Sequence, residues 1–152
     1  MQFKLASLTD IKEVQSLLKE NQLPFEDLIA SMVTLIVSVL KGQIIGCIGI
    51  EIKGEVGLLR SFSVSDKYRN QGIGAELFKK LINYSQSQNI RSLHLLTTTA
   101  DKYFSKKGFK KSDRIKAPYS IQATTEFSTL CPASSVYMIL EINDKGASTT
   151  NL

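Results

Sequence analysis

Apolar and polar positions along this chain change period several times, and each change marks an element. Residues 2–6 alternate weakly, as a first strand would. Ile11, Val14, Leu17 and Leu18 then recur on one helical face, and Asp10 with Glu13 has capping-box spacing at its start. Pro24 opens a second, short helical stretch over about residues 25–31. After it the period shortens. Residues 35–40 are a β-branched run, Lys41-Gly42 is a turn, and residues 43–52 are a second run rich in Ile. Lys53-Gly54 turns the chain again into residues 55–64, completing a meander of three antiparallel strands.

The helical period returns at Ile73. Ile73, Leu77, Leu81 with Phe78 and Ile82 mark a long helix to about Gln88, with Asn89 as its stop. Residues 92–97 read as a strand. Residues 100–107 read as a helix that Gly108 closes where a left-handed cap is needed. Phe109 opens another strand. Residues 118–130 read as helical, because Ile121, Thr125 and Phe127 do not alternate as a strand would. Residues 135–142 form a last strand, and the polar residues 143–152 form a frayed tail. The order β, α, α, β-β-β, α, β, α, β, α, β predicts one α/β domain over residues 1–142, with three layers around a mixed sheet.

Length and composition narrow the function classes. At 152 residues the chain is one ordinary domain and buries roughly 70% of its extended surface, so it needs neither disulfide nor metal to fold. The net charge of +5 suits an acidic ligand such as a polyphosphate. The dense basic patch, Lys106-Lys107 with Lys110-Lys111, reads as solvated surface. With no aromatic-basic signature and no recognition helix, nucleic acid is not expected as a partner. Cys47 and Cys131 form no CxxC, so no zinc site is expected and both read as small buried hydrophobes. The N-terminus has no signal-peptide core. The longest apolar run, residues 32–40, contains Thr34 and Ser38 and is too short to span a bilayer. These features predict a cytoplasmic protein with no membrane partner.

The chemistry concentrates in Val64-Ser65-Asp66-Lys67-Tyr68-Arg69-Asn70-Gln71-Gly72-Ile73-Gly74, between a strand and an amphipathic helix. Helix N-termini present unpaired amide donors and partial positive charge, which suits phosphate. Gly72 and Gly74 carry no Cβ to hold an anion away, and Arg69 adds a planar cation. Neither a Walker loop nor GxGxxG is present. On these residues alone the loop is either a phosphate cradle or a tight strand–helix turn.

Arg69-x-x-Gly72-x-Gly74 resembles the R/Q-x-x-G-x-G/A signature of the GNAT superfamily of acyl-CoA N-acyltransferases, and it sits after the fourth strand as in that family. Downstream, Ala100-Asp101-Lys102-Tyr103-Phe104-Ser105-Lys106-Lys107-Gly108-Phe109 resembles the family's A-x-x-L-Y-E-K-x-G-F segment. Shorter segments, among them Leu95-Leu96-Thr97-Thr98-Thr99-Ala100 and Leu130-Cys131-Pro132-Ala133-Ser134-Ser135, look like the bacterial arsenic-resistance-associated N-acetyltransferases. The resemblance implies a GNAT-like mixed sheet of about six to seven strands flanked by helices on both faces. It further implies acetyl-CoA as co-substrate, no metal, and direct attack by the amine of a small molecule, such as an arsenical amino acid or similar amino compound.

Residue roles follow from the same likeness. Main-chain groups of Phe62, Ser63 and Val64 would pair with the pantetheine arm and stabilise the oxyanion. Arg69, Asn70, Gln71, Gly72, Ile73 and Gly74 would hold the pyrophosphate. The family's proton-donating Tyr matches Phe104, which cannot donate; Phe104 is left as a cofactor contact, and either its neighbour Tyr103 is the acid, a water serves, or the thiolate leaves unaided, with a half-buried packing aromatic as the plainer reading of Tyr103. Glu51, one carboxylate among apolar neighbours, is the first candidate base, against a plainer reading as a solvent-facing strand-end charge. Glu126 is the second candidate base and a candidate acceptor contact. Arg60 is a candidate clamp for an acceptor oxyanion, with a structural ion pair as its plainer reading. His94, the sole histidine, reads as a packed, hydrogen-bonded ring. Two rivals remain: a catalytically silent acyl-CoA-binding module, favoured by Phe104, and a protein or peptide N-acetyltransferase, opposed by the insert at 118–130. Pairing of the last strands between subunits leaves a homodimer open.

Overall fold

β-Branched and apolar runs supply seven strands, hydrogen-bonded in the order β1-β2-β3-β4-β5-β7-β6. They are β1 (Gln2–Leu5), β2 (Thr34–Leu40), β3 (Gln43–Lys53), β4 (Val56–Val64), β5 (Ser92–Thr97), β6 (Lys110–Ser112) and β7 (Val136–Glu141). The helices are α1 (Ile11–Glu20), α2 (Ile73–Ser87), α3 (Asp101–Lys106) and the single turn α4 (Tyr119–Gln122). The computed structural model describes residues 1–142; the tail expected to fray, 143–152, lies outside them. Among the described residues no helix is long and apolar enough to cross a membrane. The chain divides into two compact units, Met1–Glu51 with Leu59–Tyr84, and Ile52–Leu58 with the residues from Ser85 onward.

In the first unit, α1 buries Val14, Leu17 and Leu18 against Leu28, Leu35, Val37, Ile44 and Cys47. The spacing of the three helical residues puts them on one face, as the sequence predicts. The capping box lies one turn earlier than expected: the Ser7 amide donates to Asp10 Oδ2 at 2.9 Å. Glu13 is thereby released to accept from the Ile44 amide at 2.7 Å, which ties α1 to the start of β3. The helix expected over residues 25–31 does not form; residues 22–33 run as turns and bends. Only Leu28 there is fully buried, while Ile29 and Met32 are exposed, so no apolar stripe rewards a helix. Ser31 Oγ donates to Asp27 Oδ2 at 2.6 Å, a local bond that competes with helix formation.

β2 and β3 pair antiparallel from Thr34↔Ile50 to Leu40↔Gln43. Lys41 and Gly42 both take positive φ, as a two-residue primed hairpin turn requires. β3 is buried at eight successive positions, from Ile44 to Glu51, as a covered central strand must be. Its Gly46 sets how closely α2 packs: a Cβ there would lie 2.7 Å from Ser38 Oγ and 3.0 Å from Leu77 Cδ1. Ile73 and Leu77 of α2 lie against that position, and Leu81 further along the helix is buried. Asn89, at φ +61, ends the helical stretch as expected.

The second unit is built on β5. It pairs in parallel with Val56, Gly57 and Leu58 of β4 and antiparallel with β7 from Ser92↔Glu141 to Thr97↔Val136. β6 starts at Lys110, one residue later than predicted, and pairs with the other side of β7. Leu58, Leu96, Ala117, Ile121, Phe127 and Tyr137 form its core. The stretch expected to be one helix over 118–130 is split into α4 and a π-helical turn, Glu126–Leu130. Thr124 Oγ1 causes the break, donating to Ile121 O at 2.7 Å and accepting from the Phe127 amide.

His94 is a packed, hydrogen-bonded ring, as read from sequence. Its Nδ1 lies 2.6 Å from the Tyr137 hydroxyl and its Nε2 2.8 Å from Ser92 Oγ. Burial opposes the imidazolium and pushes the ring from its ordinary 6.5 down to about 4. Above pH 6.5 the ring is neutral whether the chain is folded or unfolded. Below it, the unfolded chain binds a proton that the folded chain refuses until about pH 4. Stability is therefore full above pH 6.5 and falls as pH drops towards 4, by up to about 3 kcal/mol. Urea melts at pH 7 and pH 5 should separate clearly for the wild type and much less for His94→Gln. An equal pH dependence in the variant would assign the effect elsewhere.

Candidate active site

β4 is irregular where the sequence expects chemistry. Ser61 takes φ +59 inside the strand. A left-handed residue in a strand rotates the adjoining peptide planes out of regular alternation and re-aims the groups that follow. Those groups are the main chain of Phe62, Ser63 and Val64. The Ser65 amide returns to Ile45 O at 2.8 Å, and a 3-10 turn, Asp66–Tyr68, leads into the loop.

Through residues 69–72 the backbone alternates in hand. Arg69 is extended at φ −69, Asn70 is left-handed at φ +63, and Gly72 is left-handed at φ +84. A turn with left-handed residues before a helix can aim successive N–H groups at an anion. The helix then begins, with the Glu76 amide bonded to Gly72 O at 3.1 Å. Its first-turn amides and its positive end also favour an anion. Among the described residues no atom beyond its two chain neighbours lies within 4 Å of a Cβ built on Gly72, so glycine is needed there for its φ, not for room within the chain. Gly74 differs, since a Cβ there would rest against the Phe62 ring at 3.6 Å.

Arg69 is half exposed but directed. Its Nε donates to Val64 O at 3.1 Å, one terminal nitrogen donates to Asn21 Oδ1 at 2.7 Å, and the other lies 3.0 Å from Asp66. Asn21 also reaches back to β4, donating from Nδ2 to Ser63 Oγ and, at 3.5 Å, to Val64 O. Asn21 is absent from the sequence-derived site. It follows the last turn of α1 and reads there as an ordinary helix stop.

Arg60 and Glu51 sit together, but not as expected. Arg60 Nη1 donates to Asp27 Oδ2 at 2.7 Å and to Glu51 Oε2 at 2.8 Å; Nη2 donates to Asp27 Oδ1 at 2.6 Å. Nε donates to Ser61 Oγ at 3.2 Å. Both the Arg60 and Glu51 side chains are buried. Every guanidinium nitrogen is thus engaged inside the fold, so Arg60 is an ion-pair residue and not an open clamp for an acceptor. Glu51 is correspondingly the partner of a cation, not a lone carboxylate among apolar side chains. Asp27 was not legible as part of this group. Burial raises its pKa, but the hydrogen bonds from Arg60 and Ser31 outweigh that and hold it below the usual range.

Cys47, a β3 residue in the core of the first unit, donates from Sγ to Ser61 O at 3.1 Å. Burial pushes its thiol up to about 12, which keeps it protonated and unreactive. Cys131 packs against the core of the second unit.

The remaining expected residues belong to the second unit. Tyr103 is exposed on α3, with the Lys107 ammonium over its ring, and partial desolvation raises its pKa. Phe104 is buried edge-on to Phe109, their centroids 5.4 Å apart, so its ring is committed to packing. Glu126 is buried in the π-helical turn, whose Phe127 carbonyl accepts from Arg114. Among the described residues no cluster of three or more His, Cys, Asp or Glu side chains could hold a metal ion.

The sequence model of the Acetyltransferase (GNAT) family matches residues 6–109. The chain is 29% identical over 108 residues to an uncharacterized N-acetyltransferase of Chlorobaculum tepidum, covering 70% of this chain and 67% of that protein. It is 31% identical over 80 residues to an amino-acid acetyltransferase of Pseudomonas syringae pv. syringae, covering 51% of this chain and 18% of that protein. Among solved structures, N-acetylglutamate synthase from Neisseria gonorrhoeae, complexed with coenzyme A and N-acetyl-glutamate, superposes with a TM-score of 0.79 at 17% identity. That superposition covers 94% of this chain and 36% of the synthase chain, and it establishes likeness of fold.

Replacing Arg60 by Met removes the cation from between two carboxylates, one of them fully buried. Arg60→Met should lower the unfolding free energy by about 3–5 kcal/mol in a denaturant titration. A variant of unchanged stability would return Arg60 to the role of an acceptor clamp.

Proposed function

This chain belongs to the acetyltransferase (GNAT) family, and on that premise we propose that it moves an acetyl group from acetyl-CoA to the amine of a small molecule. The observation that carries the proposal is the hand-alternating loop at residues 69–74, opening α2 with Arg69 fixed beside it. There the CoA pyrophosphate would lie on the loop amides and the helix N-terminus, with the Arg69 guanidinium alongside. Phe62, Ser63 and Val64 would offer main-chain groups to the pantetheine arm. The turned peptide planes beside Ser61 would place a donor at the thioester oxygen.

In the transfer, the lone pair of a neutral amine attacks the thioester carbon, the oxyanion forms against the β4 amide, and the carbon–sulfur bond breaks as the attacking nitrogen gives up one proton to solvent. The thiolate then takes up a proton. Tyr103 is a candidate donor, since a phenol is protonated at neutral pH. Glu126, the second candidate, is the carboxylate proposed for the acceptor's ammonium group. The names of the relatives support an amino acid or a similar amino compound as acceptor. An arsenical amino acid is the finer reading, supported by the short segments that resemble the arsenic-resistance-associated enzymes. A second reading, a silent acyl-CoA-binding module, is favoured by the packing of Phe104 where the family carries a tyrosine.

Thiol release from acetyl-CoA, measured across amino acids, polyamines and arsenical amino acids, separates the two. Turnover with at least one amine is expected. Arg69→Ala should raise the KM for acetyl-CoA about tenfold, the loss of one charge-assisted hydrogen bond. Tight CoA binding with no acetylation of any amine would leave only the binding module.

A further inference from the structure

We infer that Asn21 is a positioning residue for the acyl-CoA site, holding Arg69 and the end of β4 in register before the cofactor arrives. The inference rests on the acetyl-CoA reading above. Its basis is the two-ended use of one side-chain amide. Arg69 can only donate, so the carbonyl end of Asn21 must face it, and the bond is 2.7 Å long. The NH2 end then points to β4, where Ser63 Oγ and Val64 O accept. Val64 O also accepts from Arg69 Nε at 3.1 Å. Asn21, Arg69 and Val64 thus close a small ring of hydrogen bonds linking α1, β4 and the loop.

The anchor behind Asn21 is rigid. Its amide bonds back to the carbonyls of Leu17 and Leu18, both of which have their side chains in the core of the first unit. Arg69 has a third contact, to Asp66, but that pair is exposed, at 50% and 84%, and such pairs fix little. Asn21 and Val64 O therefore set the direction of the guanidinium. A long, half-exposed Arg loses considerable rotamer freedom when a phosphate immobilises it, and a contact that restricts it beforehand lowers that loss. Ser63 belongs to the stretch proposed to meet the pantetheine arm, so the same side chain adjusts two parts of one ligand site.

The experiment uses the full chain, with acetyl-CoA binding by calorimetry and initial rates with an accepted amine. Asn21→Leu, similar in size and without hydrogen bonds, should raise the KM and Kd for acetyl-CoA about tenfold, with kcat at saturation changed less than about twofold. Asn21→Asp keeps an acceptor for Arg69 and loses the donor to β4, so its affinity should fall between wild type and Asn21→Leu. In an Arg69→Ala background, Asn21→Leu should add little to the loss. The inference is overturned if Asn21→Leu binds acetyl-CoA like the wild type, if its defect is in kcat with KM unchanged, or if it adds in full to Arg69→Ala. Should Asn21→Leu fail to fold, Asn21→Asp decides: wild-type affinity, or a defect confined to kcat, overturns the inference. A wild-type chain that binds no acetyl-CoA overturns the functional reading itself, whatever the variants do.

Discussion

A guanidinium taken out of water must be neutralised and hydrogen-bonded where it lies. Arg60, buried on β4, imposes that requirement on its surroundings. It draws Glu51 from the end of β3 and Asp27 from the segment between α1 and β2. The irregular segment 22–33 is thereby tied to a strand distant in sequence, and Ser61, the next residue on that strand, shares the Arg60 Nε. The left-handed kink at Ser61 sits where these bonds converge, and the backbone that follows it runs into the Arg69–Gly74 loop. Much of the geometry of the first unit can be traced to satisfying this one charge.

What the sequence made legible was local. The β2–β3 hairpin, the long α2 and the glycine loop each declare themselves within a window shorter than one element. The 3.6-residue period of Ile73, Leu77 and Leu81 and the Lys41-Gly42 turn need no distant partner to be read. Gly72 was legible as a glycine that leaves room for an anion; its positive φ of +84 was not. The order of elements was right around these, apart from the helix expected at 25–31 and the unbroken helix expected at 118–130.

What escaped was decided by partners far along the chain. Asp27 looks like any turn carboxylate until Arg60, thirty-three positions away, is placed beside it. Asn21 looks like a helix stop until Ser63 and Arg69 are seen at its two ends. The capping box slipped because Ser7 and Asp10 satisfied each other while Glu13 found the Ile44 amide. In each case a polar side chain had several acceptable local uses, and a long-range hydrogen bond chose among them. The clamp reading of Arg60 failed in the same way: a strand arginine beside apolar residues was rightly singled out, but its carboxylates are the chain's own.

The far edge of the sheet has a consequence for assembly. β6 is the terminal strand in the hydrogen-bonding order, three residues long, and two of them are the exposed Lys110 and Lys111. A strand from another molecule laid against that edge would set its backbone beside two ammonium groups and find few residues to pair with. Short, lysine-bearing edges discourage such addition. Lys110 and Lys111, half of the basic patch that reads in the sequence as solvated surface, thus stand where a further strand would have to add.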